Sequence, residues 1–368
     1  MRITFPYMGT TVIYAKLFEL LGHQVVMPTR PTKKTIDLGV KYSPEFACYP
    51  FKVIMGTYFE TLEREEVDII VTSGGHGPCR AGYYGELHQK ILSNMGHEVK
   101  FIVFDEPSRN YKKFLGYIRE LKGNNSWFKV VKIVRTVYKM AKSLDKIEKI
   151  INVKRAYVRN KSVINKAWEE IQQNYAGIKS VRDIKQVEKR ALGRLEQFNY
   201  PERSEKERIR IGIIGEIYVV MEPSVNNNIE ELLNGFGAEV ERSHYLSHYI
   251  DETLLPFAGK EGEEILNKGE KYIEIVIGGH AKQSVGHIID YKERGFDGVI
   301  HLKPFGCLPE IISQSLLDKI SDDLDIPILS LSIDEQTAQA NMMTRLEAFL
   351  DFIKYRKSTR GERKIVNE

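Results

Sequence analysis

The chain has 368 residues, 42% hydrophobic and 28% charged, with a formal net charge of +4. That length is ample for two cores and the composition is that of a globular protein, while so small a net charge argues against a dedicated nucleic-acid binder. No apolar run nears the ~20 residues needed to cross a bilayer, and Met1-Arg2-Ile3-Thr4-Phe5-Pro6 enters a predicted strand with no signal-peptide core; a cytoplasmic protein without membrane partners is expected.

In chain order, 3–5 reads as a strand, 10–21 as a helix stopped by Gly22, and 24–27 as a strand stopped by Pro28 and Pro31. Such a β-α-β opening favours a parallel sheet. The loop from Tyr42 through Cys48 leads into a helix over 50–64, with Pro50 in its first turn. The apolar run 67–71 predicts a buried strand. It is followed by Ser73-Gly74-Gly75-His76-Gly77-Pro78-Cys79-Arg80, a helix over 81–94 and a strand over 99–104. Four strands alternating with three helices predict a Rossmann-like doubly wound domain over 1–105.

From 106 to 205 the texture changes. Proline is absent from Tyr111 to Tyr200, and Val130, Ile133, Val137 and Met140 recur at helical spacing, so a helical insert is expected. Its basic residues Lys142, Lys146, Lys149, Lys154 and Arg155 read most simply as a solvated helix face, with docking of an acidic partner or a nucleotide-bearing substrate as the alternative. A second α/β domain is expected over 206–368. Its strands are 209–214 (ending in Gly215-Glu216), 239–241, 272–277 (ending in Gly278-Gly279-His280), 296–302 and 326–331. Its helices are 228–233, 285–293, 309–322 and 337–355, before a frayed polar tail. The expected fold class is therefore α/β: two Rossmann-like doubly wound parallel-sheet domains joined by a helical insert.

The three cysteines are Cys48, Cys79 and Cys307, an odd number for disulfides. A free cysteine is usually a small buried hydrophobe. Here each sits where a helix is expected to begin, with a proline within two positions: Cys48-Tyr49-Pro50, Pro78-Cys79 and Cys307-Leu308-Pro309. A helix N-terminus offers free N–H donors and partial positive charge, which lowers thiol pKa. Three such termini converging would suit an iron–sulfur cluster, a zinc ion with histidine as fourth ligand, or a redox thiol pair. No C-x-x-C pair supports zinc-ribbon or thioredoxin chemistry.

The segments Ala47-Cys48-Tyr49-Pro50, Gly77-Pro78-Cys79-Arg80, Gly215-Glu216-Ile217-Tyr218, Pro304-Phe305-Gly306-Cys307-Leu308-Pro309-Glu310 and Ser330-Leu331-Ser332-Ile333-Asp334-Glu335-Gln336-Thr337 resemble those of the 2-hydroxyacyl-CoA dehydratase component family. Within it they are most similar to the CoA-substrate-specific activase-related branch, akin to double-cubane cluster proteins. The resemblance covers nearly the whole chain outside the insert. It implies a [4Fe-4S] cluster held between the two α/β domains by Cys48, Cys79 and Cys307, with one iron open. It also implies a separate ATP-dependent iron–sulfur activase as electron donor, and a lyase or reductase acting on a CoA thioester or small molecule. The chain has no Walker A segment, so it is not itself the activase. Three cysteines supply one cubane; a double cubane would need sulfur ligands from elsewhere or from a second subunit, the latter making a dimer.

Around such a centre, Gly74, Gly75, Gly77 and Gly306 would let backbone N–H groups approach. Arg80 would offset cluster charge, or serve as a plain surface or ion-pair residue. His76 is a candidate proton donor or fourth ligand, against the plainer reading of a loop histidine bonded to backbone. Glu216 is a candidate acid/base residue, against the plainer reading of a cap on the next turn. Asp334-Glu335 is read as a cap for the terminal helix, and Gly278-Gly279-His280 as a ligand-contact loop without chemistry of its own. The enzyme reading competes with a non-catalytic electron or cluster carrier, coloured but without turnover, and with a colourless metal-free α/β binding protein.

Overall fold

Two β-α-β series, one in each half of the chain, build two four-stranded sheets. A computed structural model describes residues 1–366 except 75–78, 106–109, 199–203, 205–206, 255–259 and 276. The first series runs β1 (Arg2–Thr4), α1 (Val12–Leu21), β2 (Gln24–Val25), α2 (Lys33–Tyr42), α3 (Tyr49–Arg64), β3 (Ile69–Ser73), a 3₁₀ turn (Arg80–Tyr83), α4 (Tyr84–Asn94) and β4 (Lys100–Phe104). Four helices follow: α5 (Tyr111–Leu121), α6 (Trp127–Tyr157), α7 (Lys161–Ala176) and α8 (Val181–Glu196). The second series is β5 (Arg210–Gly215), α9 (Ile217–Met221), α10 (Ile229–Gly235), β6 (Glu239–Arg242), α11 (Leu246–Leu254), α12 (Lys260–Glu270), α13 (Ala281–Glu293), β7 (Gly298–Pro304), α14 (Leu308–Gln314), α15 (Leu317–Leu324), β8 (Ile328–Ile333) and α16 (Gln339–Val366).

Both sheets are wholly parallel, in the orders β2-β1-β3-β4 and β6-β5-β7-β8, as expected of doubly wound units. Strand order reverses between β1 and β3 and again between β5 and β7. Ligands of such sheets sit in the crevice at the carboxyl ends of the strands beside that reversal. Cys79 follows β3, Glu216 follows β5 and Cys307 follows β7, so three of the singled-out residues leave the sheets at those places.

Helix α3 lies against both sheets. Twelve of its 16 residues are buried, so it is packed all round rather than along one stripe, and Tyr49, Phe51, Val53 and Tyr58 share one core with Ile70 of β3 and Ile211, Ile213 and Ile300 of β5 and β7. The 31-residue α6 is the other joint. Its apolar face joins Ile13 of α1 and the inner faces of α7 and α8, and its far flank carries Glu148 onto the buried Arg242 of β6 at 2.5 Å. No helix among the described residues is long and apolar enough to span a membrane.

Several expectations are corrected. Helix α2 has few apolar residues and escapes a periodicity reading. A reciprocal Thr32–Thr35 cap starts it, and glycines hold it against α3: a Cβ at Gly39 would strike the Lys52 carbonyl and one at Gly56 the Thr35 carbonyl. The described residues of 272–277 form no strand. The amides of Tyr272 and Ile273 both bond the Gly269 carbonyl at the end of α12, and Ile275 points to solvent. The single helix expected over 309–322 is two, divided where the Ser315 hydroxyl takes the Ile312 carbonyl at 2.7 Å. Helix α16 continues through the tail expected to fray. Of the basic residues of the insert, Lys142 and Lys146 lie on a solvated face, as expected, while pairing with Asp251 and Glu188; Lys149 lies over the Tyr245 ring, and Arg155 alone is buried, against that expectation.

Candidate functional site

All three cysteines occupy N-cap positions, Cys48 of α3, Cys79 of the 3₁₀ turn and Cys307 of α14. Their loops meet. Arg80, next to Cys79, donates one guanidinium nitrogen to the Phe46 carbonyl and another to the Gly306 carbonyl. Those carbonyls immediately precede the Cys48 and Cys307 turns, so one side chain ties the three loops together. Gly306 has φ +75°, a left-handed conformation that favours glycine, and its α-carbon faces the Cys48 Cα; a Cβ built there would lie 3.8 Å from it. Gly279 (φ +59°) closes the remaining side: its Cβ would stand 3.7 Å from the Cys79 Sγ and against the Pro309 ring. The loop 278–280, expected to carry no chemistry, is thus a wall of the site.

The electrostatics of the thiols correct one expectation. Burial pushes all three thiols up, Cys307 furthest, and outweighs the N–H groups of the turns they cap (Phe51, Ala81 and Glu310), each of which pulls its thiol down. The elements at Cys79 and Cys307 are short, a four-residue 3₁₀ turn and a seven-residue helix, whereas Cys48 caps the 16-residue α3 and is still raised by burial. Glu216 raises all three thiols further, Glu310 raises Cys79 and Cys307, and Cys48 raises both of the others. Buried neutral thiols in such a field ionise only when a cation is bound, because coordination deprotonates a thiol outright.

Glu216 has the capping role considered for it, together with a raised pKa. Its carboxylate caps α9 by accepting the Val219 N–H at 3.1 Å, and burial lifts its pKa to about 7. Cys48 Sγ touches the hydroxyl of Tyr84, whose ring is stacked edge-on against Phe51. Behind Cys307, Glu310 accepts from Ser313 (2.8 Å) and Ser284 (3.1 Å) and meets His301 Nε2 at 2.8 Å, while His301 Nδ1 meets the Ser330 hydroxyl at 3.0 Å. His301 and Glu310 are both 0% exposed. Burial alone would raise the Glu310 carboxyl, but His301 and Ser313 outweigh it and hold it below the usual range.

The other expected residues distribute as follows. Gly74 is packed against Asp105 and Val103, with its N–H on the Phe104 carbonyl at 2.8 Å. Gly75, His76 and Gly77 lie outside the described residues. Asp334 holds the turn before α16 by accepting from Gln336 N–H (2.9 Å) and the Thr337 hydroxyl (2.8 Å), while Glu335 pairs with the buried Lys52 at 2.9 Å. Sequence reasoning gave no role to Tyr84, His301 or Glu310. Glu310 was visible three residues after Cys307, where an acidic residue in a first helical turn passes for an ordinary dipole partner. Nothing local marks the other two.

Around the mouth the surface is apolar. Phe46 (84% exposed) and Phe305 (62%) come from the loops before Cys48 and Cys307, and Tyr83, Leu308 and Ile311 from the turns and helix that Cys79 and Cys307 cap. Among the described residues no three His, Cys, Asp or Glu side chains gather about a point as ligands of a single ion would. A cubane asks something different of its thiolates, since each binds another iron. The donor set fits such a group in type: three cysteines on three loops, capping positions with N–H groups behind them, and glycines where a Cβ would intrude.

The family model for the 2-hydroxyglutaryl-CoA dehydratase D-component matches residues 10–353. A comparison with curated proteins returns no match.

Proposed function

Because the chain belongs to the 2-hydroxyglutaryl-CoA dehydratase D-component family, we propose that it is the cluster-bearing component of a 2-hydroxyacyl-CoA dehydratase, with Cys48, Cys79 and Cys307 holding one [4Fe-4S] cluster. The observation that carries this reading is the Arg80 bridge, which draws three loops from both halves of the chain to one place and leaves a cysteine on each. When bound, the cluster supplies an electron relay and an iron open to a hydroxyl or carbonyl oxygen of substrate.

This chain's own residues do the rest. Glu216, with a carboxyl pKa near 7, holds or yields a proton beside the cysteines at neutral pH. Elimination from a 2-hydroxyacyl thioester expels hydroxide and needs such a proton on the departing oxygen. Arg80 keeps the loops in register and places a positive charge beside Cys48, which favours its thiolate. The apolar rim of Phe46, Phe305, Leu308 and Ile311 excludes water from the centre. It also offers an ATP-dependent activase a surface on which to approach within electron-transfer distance. Free thiols suit a reducing cytoplasm.

Anaerobic reconstitution with iron and sulfide, followed by metal counting and electron paramagnetic resonance of the reduced protein, tests the proposal. About four irons per chain and a cubane signal are expected, with both lost in Cys307→Ala. A parent chain that takes up no iron, or a Cys307→Ala variant that takes up as much, overturns it.

A further inference from the structure

The charge of the chain is unevenly spread. Residues 111–142, which hold α5 and the first half of α6, contain nine lysines and arginines against one acid, Glu120, in a chain whose net charge is +4. Glu120 is itself taken by Lys100 at 2.5 Å. From Leu121 to Leu144 there is no aspartate or glutamate at all.

The start of α6 also carries apolar side chains that it does not bury. Val130, Ile133, Val137 and Met140 are buried, whereas Trp127 (46% exposed), Phe128 (82%), Val131 (65%) and Val134 (49%) stand in solvent. Spaced three and four apart, they form a stripe along one side of the helix. Exposed Lys129, Lys132 and Arg135 and half-buried Lys139 flank it, and among the described residues no carboxylate pairs with these four. Asp251 of α11, which reaches the next turn, is taken by Tyr138 and Lys142. Just ahead of α6, Asn125 donates to the carbonyl of Leu21, the last residue of α1, at 2.7 Å. That end of α1 leads into β2, so this face lies at the amino ends of the strands, with the cysteine loops at the carboxyl ends.

The face therefore combines cations without counter-ions and apolar side chains with nothing to cover them. A second copy of it would bring like charges together across a twofold axis. A nucleic-acid backbone would satisfy the cations and leave the valines wet. Four apolar side chains offer little beside the ~20–30 residues a side of a standard protein interface. A lipid surface meets both demands without a matching shape, because headgroup phosphates attract the cations while aromatic and aliphatic tips enter the acyl boundary. We propose that the first turns of α6 rest on the surface of an anionic membrane. This adds a membrane surface to a chain expected to have no membrane partner. No spanning helix is required for it, and the cysteine mouth stays free.

Co-sedimentation of the full-length chain with phosphatidylcholine vesicles, with and without phosphatidylglycerol, tests the proposal and needs no cluster. Binding is expected only with phosphatidylglycerol and should weaken as salt rises. Trp127 emission should shift to the blue on binding, read in a Trp168→Phe background because the chain has only these two tryptophans. The double variants Lys132→Glu/Arg135→Glu and Phe128→Ser/Val131→Ser should each weaken binding at least ~10-fold. All four positions are exposed, so the thermal midpoint should hold. Soluble poly-glutamate stands in for an acidic protein. No binding to phosphatidylglycerol vesicles, equal binding to neutral ones, or unweakened binding in either double variant each overturns the proposal. The same Trp127 shift with poly-glutamate also overturns it and assigns the face to an acidic protein.

Discussion

In the C-terminal half, Cys307 begins a helix fastened from beneath. Glu310 in its first turn is gripped by His301 from β7 and by two serine hydroxyls, all buried. In the N-terminal half, Cys48 and Cys79 sit on loops whose shared restraint is an exposed arginine reaching two backbone carbonyls. The acids that act on the thiols, Glu216 and Glu310, belong to the C-terminal half alone. One half thus provides a stiff wall carrying both carboxylates, and the other closes over it with two thiols and a clasp. A partner or substrate that moves anything at the site would move the N-terminal loops first.

The largest test of that contrast removes the stiffness. His301→Leu leaves the Glu310 carboxyl buried without its imidazole. Breaking one partner of such a pair costs about 3–5 kcal/mol, readable as a lowered urea midpoint at unchanged m-value. A loss under about 1 kcal/mol would mean that the network is not what holds the wall.

Next is the pH dependence of the cluster-free protein. Glu216 has its carboxyl raised by burial to about 7 from a reference value of 4.5. Below pH 4.5 it is protonated folded and unfolded alike. Between 4.5 and 7 the folded chain keeps a proton that the unfolded chain has released, so stability falls as pH rises and levels off above 7. Glu216→Gln should flatten that fall. Allowing for screening of a partly exposed side chain, the variant should gain about 1–3 kcal/mol over the parent at pH 8 and nothing at pH 4. Parallel stability curves for the two proteins would remove Glu216 as the titrating acid.

The contrast also explains what could be read from the sequence. Strand–helix alternation, both parallel sheets and the N-cap placement of all three cysteines were legible, because turn residues and hydrophobic runs are local. Glu216 was legible as well, since a carboxylate at the end of a strand must either cap or react, and here it caps with a raised pKa. What stayed hidden is set by distance along the chain. His301 meets Ser330 across neighbouring strands, and Arg80 reaches Gly306 across 226 positions. Helix α2 was missed because it is held by a close approach to α3 through one glycine on each, Gly39 and Gly56, and the strand expected at 272–277 begins in a helix exit, with Tyr272 and Ile273 bonded to the Gly269 carbonyl. The thiol pKa direction was misread for a related reason. Dipoles can be inferred from a sequence, whereas burial and nearby carboxylates need the fold.

A smaller effect sharpens the geometry of the clasp. Gly306→Ala puts a Cβ at φ +75°, where the added atom would lie 3.5 Å from Arg80 Nη2, an ordinary contact. The cost is then the left-handed backbone alone, about 1–2 kcal/mol, seen as a modest drop in thermal midpoint. A much larger drop would mean that this loop is as stiff as the helix it precedes.

The smallest change in stability belongs to Arg80→Ala, and it tests the contrast most directly. Arg80 is exposed, and two hydrogen bonds at the surface contribute no more than about 1 kcal/mol net. The expected consequence lies elsewhere: without the clasp the Phe46 and Gly306 turns part, and the buried thiols of Cys48 and Cys307 open to reagent more often. Labelling of both by iodoacetamide should quicken several-fold while global unfolding hardly shifts. His301→Leu, by contrast, should speed labelling only in proportion to its loss of global stability. If Arg80→Ala left both labelling rates unchanged, the N-terminal loops would owe their positions to packing, and the two halves would hold their cysteines in the same way after all.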